Sequence, residues 1–529
     1  MFASNSKVWV LGLVVALAVL SWRLFHGFTG PLTTIIDFNG VWWSQSAHNT
    51  LRAGLRVTGG VPAPWYFGPL PIPPSGYYTH HPPLLSLMLT GMFALFGEKE
   101  WVARLLPITF SLASVVLLWA LVRECAGRRA AAFSVLLFAA TPMELVYGRM
   151  VNFEPINLAW MLGGLLCLRR WEQTGQRHWR NLMIIALLLT LWTAWLGYIF
   201  VLVLCLYFLF CPGKRNPRMA LLLLGLSLFS IVLFLLHIRW ARPDAWQNLI
   251  DAFNYRLSRT NARRINLTWA AWTSRMRDTL TSYILPISWA LGLLGTVGMI
   301  QRWKTDEALR WLGWPALCFF AQSALYIMFF QNASYVHPFA AFYVALPVAI
   351  MGGVAIELFL HWCEGHGAGV RIAGLATAVA ICVFQVFTGQ RQALALNRPE
   401  YLLGRGNEPT DLIPELGRLM REKFPEGTTI ISNAHSRGAL WYYAQRAPNP
   451  EPIATTDDWA KAVNDPTIAP VGCVIWRGKA DAREILAALP AGSCEEVNVR
   501  GIPFCFWKPD REGSARNKEA PGGGNLLKQ

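Results

Sequence analysis

The stretch that decides the fold is residues 77–96, which read YYTHHPPLLSLMLTGMFALF. Its second part, residues 84–96, is mostly apolar, but crossing a bilayer takes about 20 apolar residues. A run this short is more typical of an interfacial or re-entrant helix. We therefore predict that 84–96 does not cross the membrane, so that the chain enters and leaves it on the same side.

The composition is that of a polytopic α-helical membrane protein. Hydrophobic residues make up 54% of the 529 residues and charged residues only 15%, against about a quarter in a soluble domain. About eleven apolar runs qualify as candidate spans by length and hydropathy. They are 8–24, 104–122, 131–147, 155–168, 182–196, 197–211, 219–238, 281–300, 311–330, 338–359 and 371–388. The pair 182–211 can also form one broken hairpin.

The basic residues predict the topology. The net charge is +16, but the bases flank apolar runs, which favours anionic lipid over nucleic acid as their partner. If 84–96 does not cross, five loops share one side and together hold 14 Lys or Arg, so they are expected to be cytoplasmic. These loops are 123–129, 169–180, 214–218, 302–310 and 361–371. The 25–83 loop, Glu154, the 239–280 loop and the chain after 388 then lie outside.

The composition changes after the last apolar run. Residues 1–390 are predicted to form the membrane domain, 391–510 a small extracytoplasmic α/β domain and 511–529 a disordered tail. Strands are expected at 428–432 and 471–476, and helices at 411–424 and 480–489. Cys473, Cys494 and Cys505 lie in this domain; they are buried thiols, or form a disulfide if the compartment is oxidising.

Two acids at the ends of apolar runs are the main functional candidates. Asp37 precedes Phe38-Asn39-Gly40. A purely structural interpretation is that it is the N-cap of a helix that begins near Gly40. As a catalyst it would be a general base that takes the proton of an acceptor hydroxyl attacking a sugar carbon. Glu154 precedes Pro155 and suits a helix N-terminus, with Arg149 as a simple ion-pair partner. Its functional roles stay open: orienting the acceptor, holding a divalent ion or sharing the base role.

Histidines and aromatic residues line the same predicted face. The prolines after His80 and His81 stiffen that turn, and adjacent histidines point to different sides, so hydrogen bonding to a phosphate or sugar is favoured over a metal site. Tyr78 and the Trp65-Tyr66 pair can stack on sugar faces or lie at the membrane interface. His337 precedes another span, and either an interface role or a contact with a lipid phosphate fits it.

The 239–280 loop is rich in arginine although it is predicted to lie outside. Residues 239–278 hold eight Arg and no Lys. One interpretation is an amphipathic helix on anionic headgroups. The other interpretation is that these arginines bind the phosphate of a lipid-linked substrate, because a guanidinium group can donate two parallel hydrogen bonds to a phosphate and a lysine ammonium cannot. The candidates are Arg256, Arg259, Arg263 and Arg264.

These motifs resemble the membrane glycosyltransferases with the C-type fold, in particular the protein O-mannosyltransferase and aminoarabinose (lipid A) transferase group. Four stretches carry the resemblance, which covers residues 8–170 best: Asp37, Tyr-x-x-His-Pro-Pro-Leu at 78–84, Phe-Gly at 96–97 with Ala-Arg-Leu-Leu-Pro at 103–107, and 149–154. In that family the first outer loop carries a catalytic Asp, often followed by Glu, and the third span ends with a second acid, usually Asp. Phe38 and Glu154 are the departures here.

The resemblance implies a polyprenyl-phosphate sugar donor, an external active site and inverting transfer. We therefore expect a bacterial inner-membrane glycosyltransferase with Asp37 as base and Glu154 as helper. The acceptor is unknown, membrane lipids are partners, and no cofactor is assigned, a divalent ion being left open. The alternatives are a transporter or flippase of lipid-linked saccharide, which would usually show an internal repeat, and a non-catalytic membrane scaffold.

Overall fold

The computed structural model describes residues 6–211, 213–257, 267–399, 401–403, 408–434, 438–449, 455–468, 470–490 and 492–509. The chain divides into two compact units. The first unit comprises Met1–Phe28, Thr79–Met88 and Trp101–Asn397, and the second comprises Thr29–Tyr78, Leu89–Glu100 and Arg398–Gln529. The first outer loop therefore clusters with the C-terminal part of the chain, although its sequence lies between two candidate spans.

Helices account for most of the described chain up to Leu396. In chain order they are α1 (Ser6–Phe25), α2 (Asp37–Ala53), α3 (Leu55–Thr58), α4 (Leu84–Phe96), α5 (Glu100–Ala139), α6 (Pro142–Tyr147), α7 (Phe153–Thr174), α8 (Arg177–Thr193), α9 (Trp195–Phe210), α10 (Pro217–Ala241), α11 (Ala245–Leu257), α12 (Trp269–Tyr283), α13 (Pro286–Gln301), α14 (Glu307–Phe329), α15 (Gln331–Val336), α16 (Ala345–Glu364) and α17 (Ala368–Leu396).

Several of these helices can cross a membrane. Six are long and apolar enough among the described residues, and α12 with α13, which meet at 91°, would make a seventh. The predicted membrane-protein class is thus confirmed, while the count of eleven spans stays a prediction. The short helix α4 has the bounds expected for the non-crossing segment, Leu84–Phe96.

One predicted span is interrupted. Helix α5 contains a backbone break at Gly127 with φ of 86°, a conformation that glycine adopts without strain. The run 131–147 begins in the part of α5 that follows this break. Helix α5 then ends at Ala139 and the six-residue α6 starts at Pro142. The apolar run continues through the break because hydropathy does not register where a backbone turns.

Charged contacts draw the five basic loops together at one end of the first unit. Arg129 bridges Glu357 and Glu364, with a nitrogen to oxygen distance of 2.6 Å to Glu357. The other ion pairs are Arg170–Glu124 at 3.1 Å, Lys214–Glu172 at 3.3 Å and Lys214–Glu307 at 3.9 Å. Helix α7 has 22 residues and is about 33 Å long at its usual rise. Glu154, in its first turn, is therefore at the opposite end from Glu172.

Small residues allow the closest helix packing in the first unit. Gly292, Gly295 and Gly298 face α16, and a Cβ at Gly295 would overlap the backbone carbonyl of Met351. Small residues that admit a neighbouring backbone are the usual solution where apolar surface alone cannot drive helices together. A similar approach occurs where α8 meets α9, since a Cβ on Gly197 would lie 2.5 Å from the Thr190 oxygen.

The C-terminal part of the second unit is the predicted α/β domain. Its sheet has the order β2-β1-β3-β5-β4, with β1 parallel to β2 and β3, and β5 antiparallel to β3 and β4. The elements are α18 (Leu412–Lys423), β1 (Thr429–Ser432), α19 (Ala439–Ala444), β2 (Ala447–Pro448), α20 (Thr456–Val463), β3 (Val471–Trp476), α21 (Ala482–Ala488), β4 (Gly492–Val499) and β5 (Ile502–Pro509). The two predicted strands and two predicted helices are confirmed.

Both faces of the central strand β3 are covered. Val474 and Trp476 enter one apolar cluster, whereas Cys473 and Ile475 enter another, as the two-residue period of a strand requires. Cys494 and Cys505 form a disulfide, and Cys473 is a buried free thiol. The predicted disordered tail, 511–529, lies outside the described residues.

Candidate active site

Asp37 opens helix α2 in the second unit. The helix begins at Asp37, with Ile36 as its N-cap, so the prediction of an N-cap for a helix starting near Gly40 is wrong. The side chain turns back instead: Thr34 donates from its backbone nitrogen (3.1 Å) and its hydroxyl (2.7 Å) to Asp37 Oδ2. Asp37 is 3% exposed, and these contacts fix the direction of its carboxylate.

Glu154 lies in the first turn of α7, in the first unit. The helix starts at Phe153 after Asn152, and the Asn152 side chain hydrogen-bonds the Glu154 carboxyl. Its Oε2 is buried and has no hydrogen-bond partner among the residues that the structure describes. A carboxyl group at the positive end of a helix dipole with one unsatisfied oxygen can accept a hydrogen bond from a ligand.

The His-Pro-Pro turn is fixed by α9 and α11. Asn248 Oδ1 lies 2.8 Å from His80 Nε2 and accepts from the Thr79 hydroxyl at 2.7 Å. Trp195 Nε1 donates to the His80 carbonyl at 2.6 Å. The ring of His81 stacks on Phe153, with centroids 4.5 Å apart, which places His81 beside the residue that precedes Glu154.

Charge from the Arg-rich loop reaches all three predicted histidines. Burial, followed by the positive charge of Arg256, lowers the pKa of His80 to about 3 and that of His337 to about 4. The same two causes hold the pKa of His81 well below its usual value. The imidazoles are therefore neutral near pH 7 and act as hydrogen-bonding groups, whereas Arg256 supplies positive charge to all three.

His337 extends the cluster toward α6 and α12. Its ring stacks on Phe339 with centroids 4.9 Å apart, and Phe339 meets Tyr147 edge-on at 5.9 Å. The Tyr147 hydroxyl donates to the Tyr283 hydroxyl at 3.0 Å, and Glu154 acts electrostatically on Tyr147. Glu154, His81, His337 and Arg256 thus belong to one polar cluster within the first unit.

Other predicted residues occupy different surroundings. Arg149 donates to the His26 carbonyl at 2.6 Å, which ties the end of α1 to the segment before α7. Tyr78 belongs to the second unit, where its ring meets Trp43 edge-on. Arg259, Arg263 and Arg264 lie outside the described residues. The substrate-binding roles of these residues stay predictions.

Sequence reasoning missed Asn248, Trp195 and the Tyr147–Tyr283 pair. A signal for Asn248 existed: with Ala245 and Ala252 it forms the buried stripe of α11, where an amide is unusual unless it holds a partner. Among the described residues, no three His, Cys, Asp or Glu side chains form a group that could hold a metal ion. We therefore derive no step through a metal.

Two sequence comparisons match known or provisionally named mannosyltransferases. The family model described as dolichyl-phosphate-mannose-protein mannosyltransferase matches residues 80–240, which include the His-Pro-Pro turn, Glu154 and the start of the Arg-rich loop. The Bacillus subtilis protein YycA, provisionally named a mannosyltransferase, is 31% identical over 107 residues, which are 20% of this chain and 16% of YycA.

Solved structures match over nearly the whole chain. ArnT from Cupriavidus metallidurans in the apo state has a TM-score of 0.62 at 16% identity, covering 95% of this chain and 98% of ArnT. ArnT bound to undecaprenyl phosphate gives 0.58 at 15% identity with the same coverage. The Archaeoglobus fulgidus oligosaccharyltransferase AglB, in complex with an inhibitory peptide and a dolichol-phosphate, gives 0.57 at 12% identity over 96% of this chain and 75% of AglB.

The predicted resemblance to the C-type membrane glycosyltransferases is confirmed. The solved structures establish a shared fold, and the family model and YycA add sequence likeness to mannosyltransferases. They support the predicted glycosyltransferase class and give no support to the transporter alternative.

Proposed function

We propose that this protein transfers a sugar from a polyprenyl-phosphate donor to an acceptor hydroxyl at the external face of a bacterial inner membrane. The observation that carries the proposal is the polar cluster at the end of α7. It combines an acid with a buried unpartnered oxygen, three neutral imidazoles and the cation Arg256. Polyprenyl phosphates occupy two proteins of the same fold, ArnT and AglB.

In the proposed reaction the acceptor oxygen attacks the anomeric carbon of the donor. The bond from that carbon to the phosphate oxygen breaks, and polyprenyl phosphate leaves with the electron pair. Asp37, held by Thr34, takes the acceptor proton as general base. Attack opposite to the leaving group inverts the anomeric centre.

The leaving phosphate requires positive stabilisation. We assign this role to Arg256, with Arg259, Arg263 and Arg264 as further candidates and with His81 and His337 as hydrogen-bond donors, whereas His80 donates its Nε2–H to Asn248 and fixes the turn. A neutral imidazole donates one N–H and adds no charge, so the guanidinium groups carry the electrostatic part. Glu154 is then free to accept a hydrogen bond from a sugar hydroxyl through Oε2.

The proposal also includes the topology. The basic loops gathered at the far end of α7 would be cytoplasmic, and the domain 391–510 would be extracytoplasmic with the active site. The Cys494–Cys505 disulfide supports this placement, because disulfides persist in oxidising compartments. The membrane domain is proposed to end near residue 390.

Replacement of the base tests the proposed function. We expect Asp37→Asn to reduce transfer by about 100- to 10,000-fold, the rate that a general base contributes. The measurement is time-dependent release of polyprenyl phosphate from a panel of labelled polyprenyl-phosphate sugars by purified protein in nanodiscs.

Asp306→Asn is the matched control. Asp306 caps α14 by accepting from the Leu309 nitrogen at 2.8 Å, and asparagine caps helices equally well, so transfer should stay at the level of the unmodified protein. An Asp37→Asn protein that is fully active would refute the assignment of the base. An unmodified protein that releases no polyprenyl phosphate from any donor would refute the function.

A further inference from the structure

Three aromatic rings form a ledge on and beside helix α2, which Asp37 opens; Trp65 is exposed, and Phe38 and Trp42 are half-buried. Phe38 meets Trp42 edge-on with centroids 5.4 Å apart, and Trp65 lies 3.6 Å from Trp42 and 6.5 Å from Phe38. Trp65 is 51% exposed, whereas Phe67 packs buried beside Trp42. We call Phe38, Trp42 and Trp65 the aromatic ledge; all three belong to the second unit, as does Asp37.

A single face of α2 builds and fixes this ledge. Its positions are spaced by four, three, four and three residues, so they share one stripe of the helix: Phe38, Trp42, Gln45, Asn49 and Arg52. The first two supply rings, and the last three donate hydrogen bonds to backbone carbonyls on either side of Trp65. These bonds are Gln45 to Tyr66 (2.8 Å), Asn49 to Ala63 (2.8 Å) and to Tyr66 (2.7 Å), and Arg52 to Gly68 (3.0 Å).

The amides that hold Trp65 are fully buried. Gln45 and Asn49 are both 0% exposed, and burying an amide is costly unless it is hydrogen-bonded. Here the side-chain amides of Gln45 and Asn49 donate to carbonyls of residues 63 and 66 and so fix the loop that carries the exposed Trp65. The stripe thereby holds Trp65 beside Phe38, the residue that follows Asp37.

We propose that the aromatic ledge is the acceptor subsite and that the acceptor is a carbohydrate, whose ring stacks on Trp65 while its hydroxyl points to Asp37. This inference rests on the proposed function and specifies the acceptor that it leaves open. A sugar ring has an apolar C–H face that suits a flat, rigid indole, and a fixed aromatic surface binds with little loss of conformational entropy.

The ledge favours a sugar ring over a peptide serine. Extended peptides are usually bound through main-chain hydrogen bonds, whereas the ledge offers ring faces, and the Trp42 indole nitrogen is buried without a hydrogen-bond partner among the described residues. A sugar ring makes its apolar contacts with the ring faces and leaves its other hydroxyls to solvent. The peptide and the lipid headgroup therefore become outcomes of the test.

Binding without turnover is the first test. Saturation-transfer NMR on protein in nanodiscs would use methyl α-mannopyranoside, methyl β-glucopyranoside and a serine-containing pentapeptide as probes. We expect saturation of the ring C–H protons of a glycoside, a loss of at least about fivefold in Trp65→Ala, and retention in Trp65→Phe. Trp362→Ala is the matched control, because Trp362 is 56% exposed on α16 and lies outside the ledge.

Turnover is the second test. Trp65→Ala should raise the KM for the saccharide acceptor about tenfold, while the donor KM and acceptor-independent release of polyprenyl phosphate stay unchanged. Equal glycoside saturation in Trp65→Ala, Trp65-dependent binding of the peptide alone, or an effect confined to thermal stability in anionic nanodiscs would each overturn the proposal. Trp65-dependent glycoside binding without any donor turnover would refute the transferase function and leave the ledge as a saccharide site.

Discussion

At the residue scale, the candidate site relies on groups whose charge is set by their neighbours. His80, His81 and His337 are held neutral by burial and by Arg256. A phosphate that enters the cluster would meet the cation Arg256 and the neutral donors His81 and His337. Neutral donors can orient an anion, and burying them in the empty site costs less than burying further unpaired charges would.

These histidines predict how stability depends on pH. In the folded protein His80 and His337 stay neutral until well below pH 5, whereas histidines in the unfolded chain take up protons near pH 6.5. Between these values the unfolded histidines bind more protons. Their contribution to stability therefore rises with pH and is lost as pH falls from about 6.5 toward 4.

The measurement is the thermal midpoint in nanodiscs from pH 7.5 to pH 5. We expect the midpoint of His80→Asn to fall less steeply than that of the unmodified protein. Comparing the two cancels the opposite contribution of Glu154, whose pKa is raised by burial to about 8. His366→Asn, at an exposed histidine two residues after the end of α16, should keep the pH dependence of the unmodified protein. Equal slopes for His80→Asn and the unmodified protein would contradict a neutral His80.

Thr34 shows what the sequence did not convey about Asp37. The sequence TTIID at 33–37, followed by Gly40 as a possible helix start, is compatible with an acid that caps a later helix. The helix begins at Asp37, and Thr34 supplies two donors to one carboxylate oxygen. Which of several hydroxyl and amide donors a carboxylate meets depends on backbone turns that residue types alone do not determine.

At the element scale, hydropathy located the helices well and their breaks poorly. Helix α4 occupies 84–96 as expected because its flanking residues, Pro82-Pro83 and Gly97, end the apolar run on both sides. The break at Gly127 lies within the predicted loop 123–129, whereas the stop before Pro142 was missed because apolar residues continue across it.

Helix packing depends on glycine at α13. We expect Gly295→Ala to destabilise the protein by about 1–3 kcal/mol, the usual cost of overpacking, because the added Cβ would overlap the Met351 carbonyl of α16. Gly163→Ala is the matched control, since a Cβ there meets nothing within 4 Å and helix propensity should improve slightly. Thermal midpoints in nanodiscs, together with the yield of monodisperse protein, would show the difference. Equal midpoints for the two variants would contradict the packing described.

At the scale of the whole molecule, the sequence predicted the class of fold and four of the nine helices and strands given above for the C-terminal domain. The buried strand at 471–476 was recognisable because an apolar run of that length bounded by polar residues is typical of a strand. The hairpin of β4 and β5 was missed: most of the residues of β4 are exposed, so it has no apolar pattern. The grouping of residues 29–78 with residues 398–509 was also missed, since it depends on contacts far apart in the chain.

Topology can be tested with reporters. Alkaline phosphatase fused after residue 509 should be active and a fluorescent protein there dark, whereas fusions after residue 215 should give the reverse. The reason is the excess of Lys and Arg in the five loops that the ion pairs gather together. A fluorescent C-terminal fusion would place the disulfide-bonded domain in the cytoplasm and refute an external active site.

The short helices α8 and α9 have a consequence for the surrounding bilayer. They have 17 and 16 residues, or about 24–26 Å each, against a hydrocarbon thickness of about 30 Å. A membrane that meets them has to thin, or the polar groups at their ends have to reach outward. Trp195, at the start of α9, holds the His-Pro-Pro turn. The headgroup plane is therefore expected to dip beside this turn, which would shorten the distance that a lipid phosphate travels to reach it.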